Sequence, residues 1–153
     1  MGPFPHDAPR AEITADIPAG SDGFESVEFA HPDPEALREV FQRMGYCHVA
    51  NLKSKRIGLW QQGDITYILN ADPDSFAARF VEDHGPCAPS MGWRVVDAQH
   101  AFEHALANGA EPYTGDDKAL DVPAIKGIGG SLLYFVDQYY DTSPYNEEYD
   151  WIT

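Results

Sequence analysis

The segment 33–45 reads DPEALREVFQRMG, and the segment 97–109 reads DAQHAFEHALANG. Each begins with an aspartate suited to a helix N-cap and ends with a glycine suited to the position after a helix. The two segments are equally long and are offset by 97 − 33 = 64 residues. Each follows a strand-like run and precedes further strand-like runs. The sequence therefore predicts one strand–helix–strand–strand–strand unit used twice, with a groove formed by the two copies.

Helices separated by several locally paired strands are typical of an α+β fold with mixed, mainly antiparallel sheets, here around the groove. Residues 1–22 carry four prolines and no apolar period, so we expect a disordered tail. Residues 23–153 are expected to form a single domain. Its expected parts are a first module (23–70), a connector (71–89), a second module (90–137) and a C-terminal strap (138–153).

Charge and hydropathy exclude several classes of protein. Ten Lys and Arg residues against 25 Asp and Glu residues give a net charge of −15, which disfavours nucleic acids and anionic membranes as partners. The mean hydropathy of −0.40 and the lack of a long apolar run argue against a membrane span. Cys47 and Cys87 do not make a disulfide framework. With no recognisable secretory signal, we expect a cytoplasmic protein with both thiols reduced.

Several stretches resemble the N-terminal domain of bacterial 4-hydroxyphenylpyruvate dioxygenases, within the vicinal oxygen chelate superfamily that includes glyoxalase I. The most specific stretch is the octet PAIKGIGG at 123–130. The other similar stretches are 23–30, 54–55, 62–65, 68–70, 84–86, 94–95 and 97–99. The resemblance extends from about residue 23 to residue 145.

The resemblance implies a function for the parent enzyme rather than for this chain alone. Enzymes of that family use Fe(II) and O₂ to convert 4-hydroxyphenylpyruvate to homogentisate and CO₂ in tyrosine catabolism. Their iron is held by two His and one Glu in the C-terminal domain. We therefore expect an inactive, metal-free domain with a structural or assembly role, whose partner is that catalytic domain or a second copy. A hydroxymandelate synthase is an alternative parent.

The superfamily places its metal ligands on the first and last strands of each module. Carried onto this sequence, those positions are Ser26 and Ser90 on the first strands, and Asn70 and Tyr134 on the last strands. Hydroxyls and an amide bind a transition metal weakly beside imidazole and carboxylate. We therefore expect no metal, cofactor-binding or catalytic residues here. Lys126 and Gly129, in the specific octet, are candidates for a domain interface.

Two further functions remain open from the sequence. A freestanding dimer of this fold could hold a small aromatic ligand in its groove, because the duplicated unit is complete. In addition, His100, Glu103 and His104 match the H-x-x-E-H pattern of inverted zinc proteases. We interpret this pattern as the solvated face of an outer helix, since Ala101, Phe102 and Ala105 would hold the opposite face down.

Overall fold

The computed structural model of the chain describes residues 9–139 and 149–152. Within them lie three α-helices, a short 3₁₀ turn and nine strands of one mixed sheet. The helices are α1 (Pro34–Arg43), α2 (Phe76–His84) and α3 (Ala98–Ala107). The strands are β1 (Ser21–Ala30), β2 (Cys47–Leu52), β3 (Ile57–Gln62), β4 (Ile65–Asn70), β5 (Cys87–Val95), β6 (Pro112–Tyr113), β7 (Ala124–Lys126), β8 (Leu132–Val136) and β9 (Tyr149–Trp151).

The predicted repeat is visible at both ends of α1 and α3. Both helices have ten residues, and their first residues are 98 − 34 = 64 positions apart. The side chains of Asp33 and Asp97 accept hydrogen bonds from backbone N–H groups of the first turn. Gly45 and Gly109 follow the last turns with φ of 91° and 93°, a left-handed conformation that glycine adopts without strain. The caps read from the sequence therefore set the helix bounds.

The sheet order β6-β7-β8-β5-β1-β4-β3-β2-β9 shows the duplication directly. In each module the first strand pairs in parallel with the last, as β1 does with β4 and β5 with β8. The other neighbours are antiparallel, including the central pair of β1 and β5. The α+β class with a mixed, mainly antiparallel sheet is confirmed. The two modules share one continuous sheet, because their first strands pair with each other.

The two faces of the sheet are covered differently. On one face, α1 packs on an aromatic cluster that includes Phe41, Tyr46 and Trp60, and α3 packs on Val95; we call this the outer face. On the inner face, one hydrophobic cluster joins residues of both modules, from Leu59 and Ile68 to Leu132 and Val136. The groove between the modules is therefore filled by side chains over much of its length.

Some bounds differ from those expected. β1 begins at Ser21 rather than Phe24, and residues 9–20 lie against the domain, where His100 Nε2 donates to the Pro18 carbonyl at 2.8 Å. The strand expected at 120–125 is shorter and begins only at Ala124, since the Leu120 N–H bonds to the Tyr134 hydroxyl. Residues 1–8 of the expected tail and 140–148 of the expected strap lie outside the described residues.

Candidate functional site

The polar centre of the inner face is Glu28, in the middle of β1. Only 2% of its surface is exposed. Its Oε2 accepts a hydrogen bond from Asn70 Nδ2, and its Oε1 accepts one from Ser90 Oγ, both at 2.7 Å. A buried carboxyl group needs such partners, because burial without them costs several kcal/mol (about 1–3 even for a neutral polar group). We call Glu28, Asn70 and Ser90 the central network.

Strand register brings these three side chains together. Glu28 lies opposite Ser90 in the antiparallel pair of β1 and β5. Across the parallel pair, Glu28 faces Ile68, and Asn70 is the next residue of β4 on the same face. The Asp72 N–H donates to Asn70 Oδ1 at 3.0 Å, which leaves Nδ2 as the atom directed at Glu28. The network therefore links the first strand of one module to the first strand of the other.

Burial controls the ionisation of this centre. Desolvation raises the pKa of Glu28, although the hydrogen bonds from Ser90 and Asn70 act in the opposite direction. Partial burial and the neighbouring Glu28 also raise the pKa of the Cys87 thiol. The same two causes raise the pKa of Tyr134. The ionised forms of these groups are therefore disfavoured, which makes Cys87 a poor nucleophile.

The four positions carried over from the superfamily line one part of the inner face. Ser26 and Ser90 are both at most 2% exposed, and Asn70 and Tyr134 are similarly buried. Ser26 lies opposite Gly92, where an added Cβ would be 2.7 Å from Ser26 Oγ. Asn70 and Ser90 are committed to Glu28. The Tyr134 hydroxyl accepts the Ala119 N–H at 3.1 Å.

These residues do not fit a transition metal. One carboxyl with a raised pKa, two serines, an amide and a neutral phenol lack the imidazole and carboxylate donors that hold iron or zinc. Glu28 is the residue that the sequence reasoning missed. It could have been found from the period of two in β1, which places Glu28 on the same face as Ser26.

The Tyr134 hydroxyl offers a direct test of the packing at this centre. It accepts hydrogen bonds from the amides of Ala119 and Leu120, both of which are buried. We expect Tyr134→Phe to lower the free energy of unfolding by about 2 kcal/mol, because buried N–H groups lose their acceptor. Chemical denaturation checks this.

The matched control for this test is Tyr113→Phe. The Tyr113 hydroxyl donates to Asp117 at 2.6 Å in a partly buried place, and Asp117 keeps its ion pair with Arg79. Tyr113→Phe should therefore lower the free energy of unfolding by less than Tyr134→Phe does. Equal losses in the two variants would contradict the role given to the Tyr134 hydroxyl.

The H-x-x-E-H pattern lies on the outer helix α3. The rings of His100 and His104 are parallel, with centroids 6.4 Å apart, and Glu103 accepts a hydrogen bond from Gln99 at 2.8 Å. His100 Nε2 is occupied by the Pro18 carbonyl. Among the described residues, no three His, Cys, Asp or Glu side chains are grouped as a metal site would need. The geometry thus gives the zinc hypothesis no support.

The two interface candidates lie at the turn between β7 and β8. Lys126 forms an ion pair with Glu111, and Gly129 has a φ of 66° in the 3₁₀ turn Ile128–Gly130. Ile128 itself is 96% exposed. An interface role for Lys126 and Gly129 stays a prediction.

Two open clefts are lined by described residues. The one nearest to the central network has a volume of about 660 Å³ and is an open cleft that reaches Asn70 at its edge. A second open cleft, of about 670 Å³, lies between the turn after β2 and the loop 114–121. In the described part of the chain, no helix is long and apolar enough to cross a membrane.

Two βαβββ modules in one sheet, with the first strands paired at the centre, define a domain of the vicinal oxygen chelate fold. Residues 15–150 match the family described as "Hydroxyphenylpyruvate dioxygenase, HPPD, N-terminal". The chain belongs to this family.

Named relatives agree with the family match. The chain is 45% identical to "Hemolysin VllY" of Vibrio vulnificus, over 90% of this chain and 40% of that protein. It is 41% identical to the "4-hydroxyphenylpyruvate dioxygenase" of Pseudomonas aeruginosa, over 93% of this chain and 41% of that protein. A solved "xylose isomerase-like TIM barrel/4-hydroxyphenylpyruvate dioxygenase fusion protein" superposes with a TM-score of 0.78 at 34% identity, over 86% of this chain and 21% of that one. The chain thus spans about two fifths of the length of these curated relatives.

Proposed function

We propose that this chain is the non-catalytic N-terminal domain of a cytoplasmic 4-hydroxyphenylpyruvate dioxygenase, and that it serves folding and assembly of the enzyme. The oxidation of 4-hydroxyphenylpyruvate to homogentisate, a step of tyrosine catabolism, would take place in another domain. The family match and the curated dioxygenase relatives support the parent activity. A hydroxymandelate synthase remains the alternative parent.

The observation that carries the non-catalytic role is the central network. In a metal-binding module, the inward positions of the first and last strands would present free donors to an ion. Here Asn70 and Ser90 instead donate to Glu28, which is itself buried and whose pKa is raised by that burial. The network joins the two modules by hydrogen bonds, at the place where a shared ion would otherwise join them. The Fe(II) of the parent would be held by His and Glu residues of the C-terminal domain.

The packed inner face argues against the freestanding ligand-binding alternative. A small aromatic ligand in the groove would need the space that the cluster around Leu59, Ile68 and Leu132 occupies. The open cleft beside Asn70 is lined by the first module and the connector. The alternative therefore depends on the cleft of about 670 Å³ between the turn after β2 and the loop 114–121, where residues of both modules meet.

The test is to measure metal and activity on the chain as it stands. We expect no stoichiometric Fe(II) by elemental analysis after anaerobic loading, and no CO₂ release from 4-hydroxyphenylpyruvate. The complete polypeptide encoded by the gene is the positive control for both measurements. About one tightly bound iron per chain, or turnover by the chain alone, would overturn the proposal.

A further inference from the structure

An uncovered apolar strip runs along the outer face where the two modules meet. α1 covers the strands on one side of it, and α3 covers those on the other. Between the two helices, large apolar side chains remain exposed: Phe24, Met91 and Trp93 at 38% each, and Ile65 at 45%. We call Phe24, Val27, Ile65, Met91 and Trp93 the outer seam. Most soluble monomers expose few contiguous apolar patches of this kind.

Register shows that the outer seam is one surface and not scattered residues. Phe24 pairs with Trp93 and Val27 pairs with Met91 across β1 and β5. The rings of Phe24 and Trp93 meet edge to face, with centroids 5.3 Å apart. On the other side of β1, Ile65 alternates with the inward Thr66 of β4 and so faces outward. The surface is thus built on the three most central strands, where the backbone is rigid.

The exposed seam continues onto α1. The Met44 side chain is 51% exposed, and its carbonyl accepts a hydrogen bond from Gln62 Nε2 at 3.0 Å. Gln62 is the register partner of Ile65, so Met44 borders the seam. Methionine and aromatic side chains are enriched in the buried cores of protein interfaces.

We infer that the outer seam is the docking surface for the domain that follows this region in the polypeptide. The inference rests on the proposed function and names the surface through which the two domains assemble. The curated relatives have about three fifths of their length outside this region. A corresponding domain in the complete polypeptide would be large enough to cover the seam. The net charge of −15 opposes the alternative in which two copies face each other through this seam.

The position of the last described strand permits this docking. β9 is four strands from β1 in the sheet, a lateral separation of about 19 Å at the usual strand spacing of about 4.8 Å. About six extended residues span that distance. A linker of ordinary length can therefore bring the next domain onto the seam.

Hydroxyl-radical footprinting of the complete polypeptide tests the inference. We expect Met91 and Trp93 to be oxidised at least fivefold more slowly than their exposure in this chain predicts, whereas Ile17, which is 39% exposed, keeps its reactivity. Met91→Glu should undock the domains and restore fast oxidation of Trp93. Ile17→Glu, with the same charge change on an exposed apolar side chain outside the seam, should leave Trp93 protected.

Three outcomes would overturn the inference. The first is full reactivity of Met91 and Trp93 in the complete polypeptide. The second is protection that grows with a tenfold rise in protein concentration, which would assign the seam to a second copy. The third is protection that survives Met91→Glu. None of these outcomes bears on the proposed non-catalytic role, because that role is tested separately by the iron content of the chain and by CO₂ release. A gene without a further domain would overturn both proposals.

Discussion

Glu28→Gln is expected to stabilise the chain increasingly as the pH rises above about 4.3, the usual pKa of an unfolded glutamate. Burial raises the pKa of Glu28, so the folded chain binds this proton more tightly than the unfolded chain does. The resulting stabilisation is complete below the unfolded pKa and is lost as the pH rises toward the folded pKa. Glutamine keeps the shape of the protonated acid, since its oxygen can accept from Asn70 Nδ2 while its Nε2 donates to Ser90 Oγ, and its stability contribution is independent of pH.

The measurement is the difference in free energy of unfolding between Glu28→Gln and the parent chain at a series of pH values. We expect the difference to grow by up to about 1.4 kcal/mol per pH unit until the raised pKa is passed. The control is Glu39→Gln, because Glu39 is exposed on α1 and the variant removes the same charge. A difference that is constant with pH, or a variant less stable than the parent at pH 8, would show that Glu28 is ionised in the folded chain.

The repeat and its helices could be predicted because their signals are local. An aspartate cap, an apolar helix and a left-handed glycine act within one segment, and both copies carry them in the same order. The alternation in β3 and β4 also predicted their hairpin. Local signals of this kind can be recognised in one segment, without knowing which strands pair across the sheet.

The central network could not be predicted as a unit, because its members depend on contacts between distant segments. Glu28 and Ser90 are 62 residues apart in sequence, and Glu28 and Asn70 are 42 apart. The period of two in β1 placed Glu28 inward, yet its partners follow only from the pairing of β1 with β5. The sequence reasoning expected two separate sheets, which leaves this pairing out.

The N-terminal residues show the same limit. Pro9 to Gly20 lack an apolar period, and composition alone therefore predicted a tail. They are held by hydrogen bonds to later segments, such as those of Arg10 with the Asp137 carbonyl and of the Ala11 N–H with Asp22. Composition reports how much apolar surface a segment can bury, but it carries no record of such hydrogen bonds.

Asn70→Asp is expected to be the most destabilising isosteric change in the central network. It replaces the Nδ2 donor, 2.7 Å from Glu28, with a carboxylate oxygen. Two buried carboxyls at this distance cannot both ionise, so the folded variant must keep a proton that the unfolded chain releases as the pH rises. We expect a loss of about 3 kcal/mol at pH 8, and a smaller loss at pH 5. Asn51→Asp is the control, because Asn51 is exposed and its Oδ1 already serves His48 as an acceptor.

A double-mutant cycle separates this electrostatic effect from a mere loss of packing. In the Glu28→Gln background, the new amide can turn its Nε2 toward the carboxylate that Asn70→Asp introduces, and its oxygen can accept the Ser90 hydroxyl. In this background, Asn70→Asp should lower the free energy of unfolding by about 1–3 kcal/mol less than it does in the parent chain, which is the usual coupling energy of groups in direct contact. Equal costs in the two backgrounds would mean that Glu28 and Asn70 do not interact, and the hydrogen-bonded link between the modules would have to be abandoned.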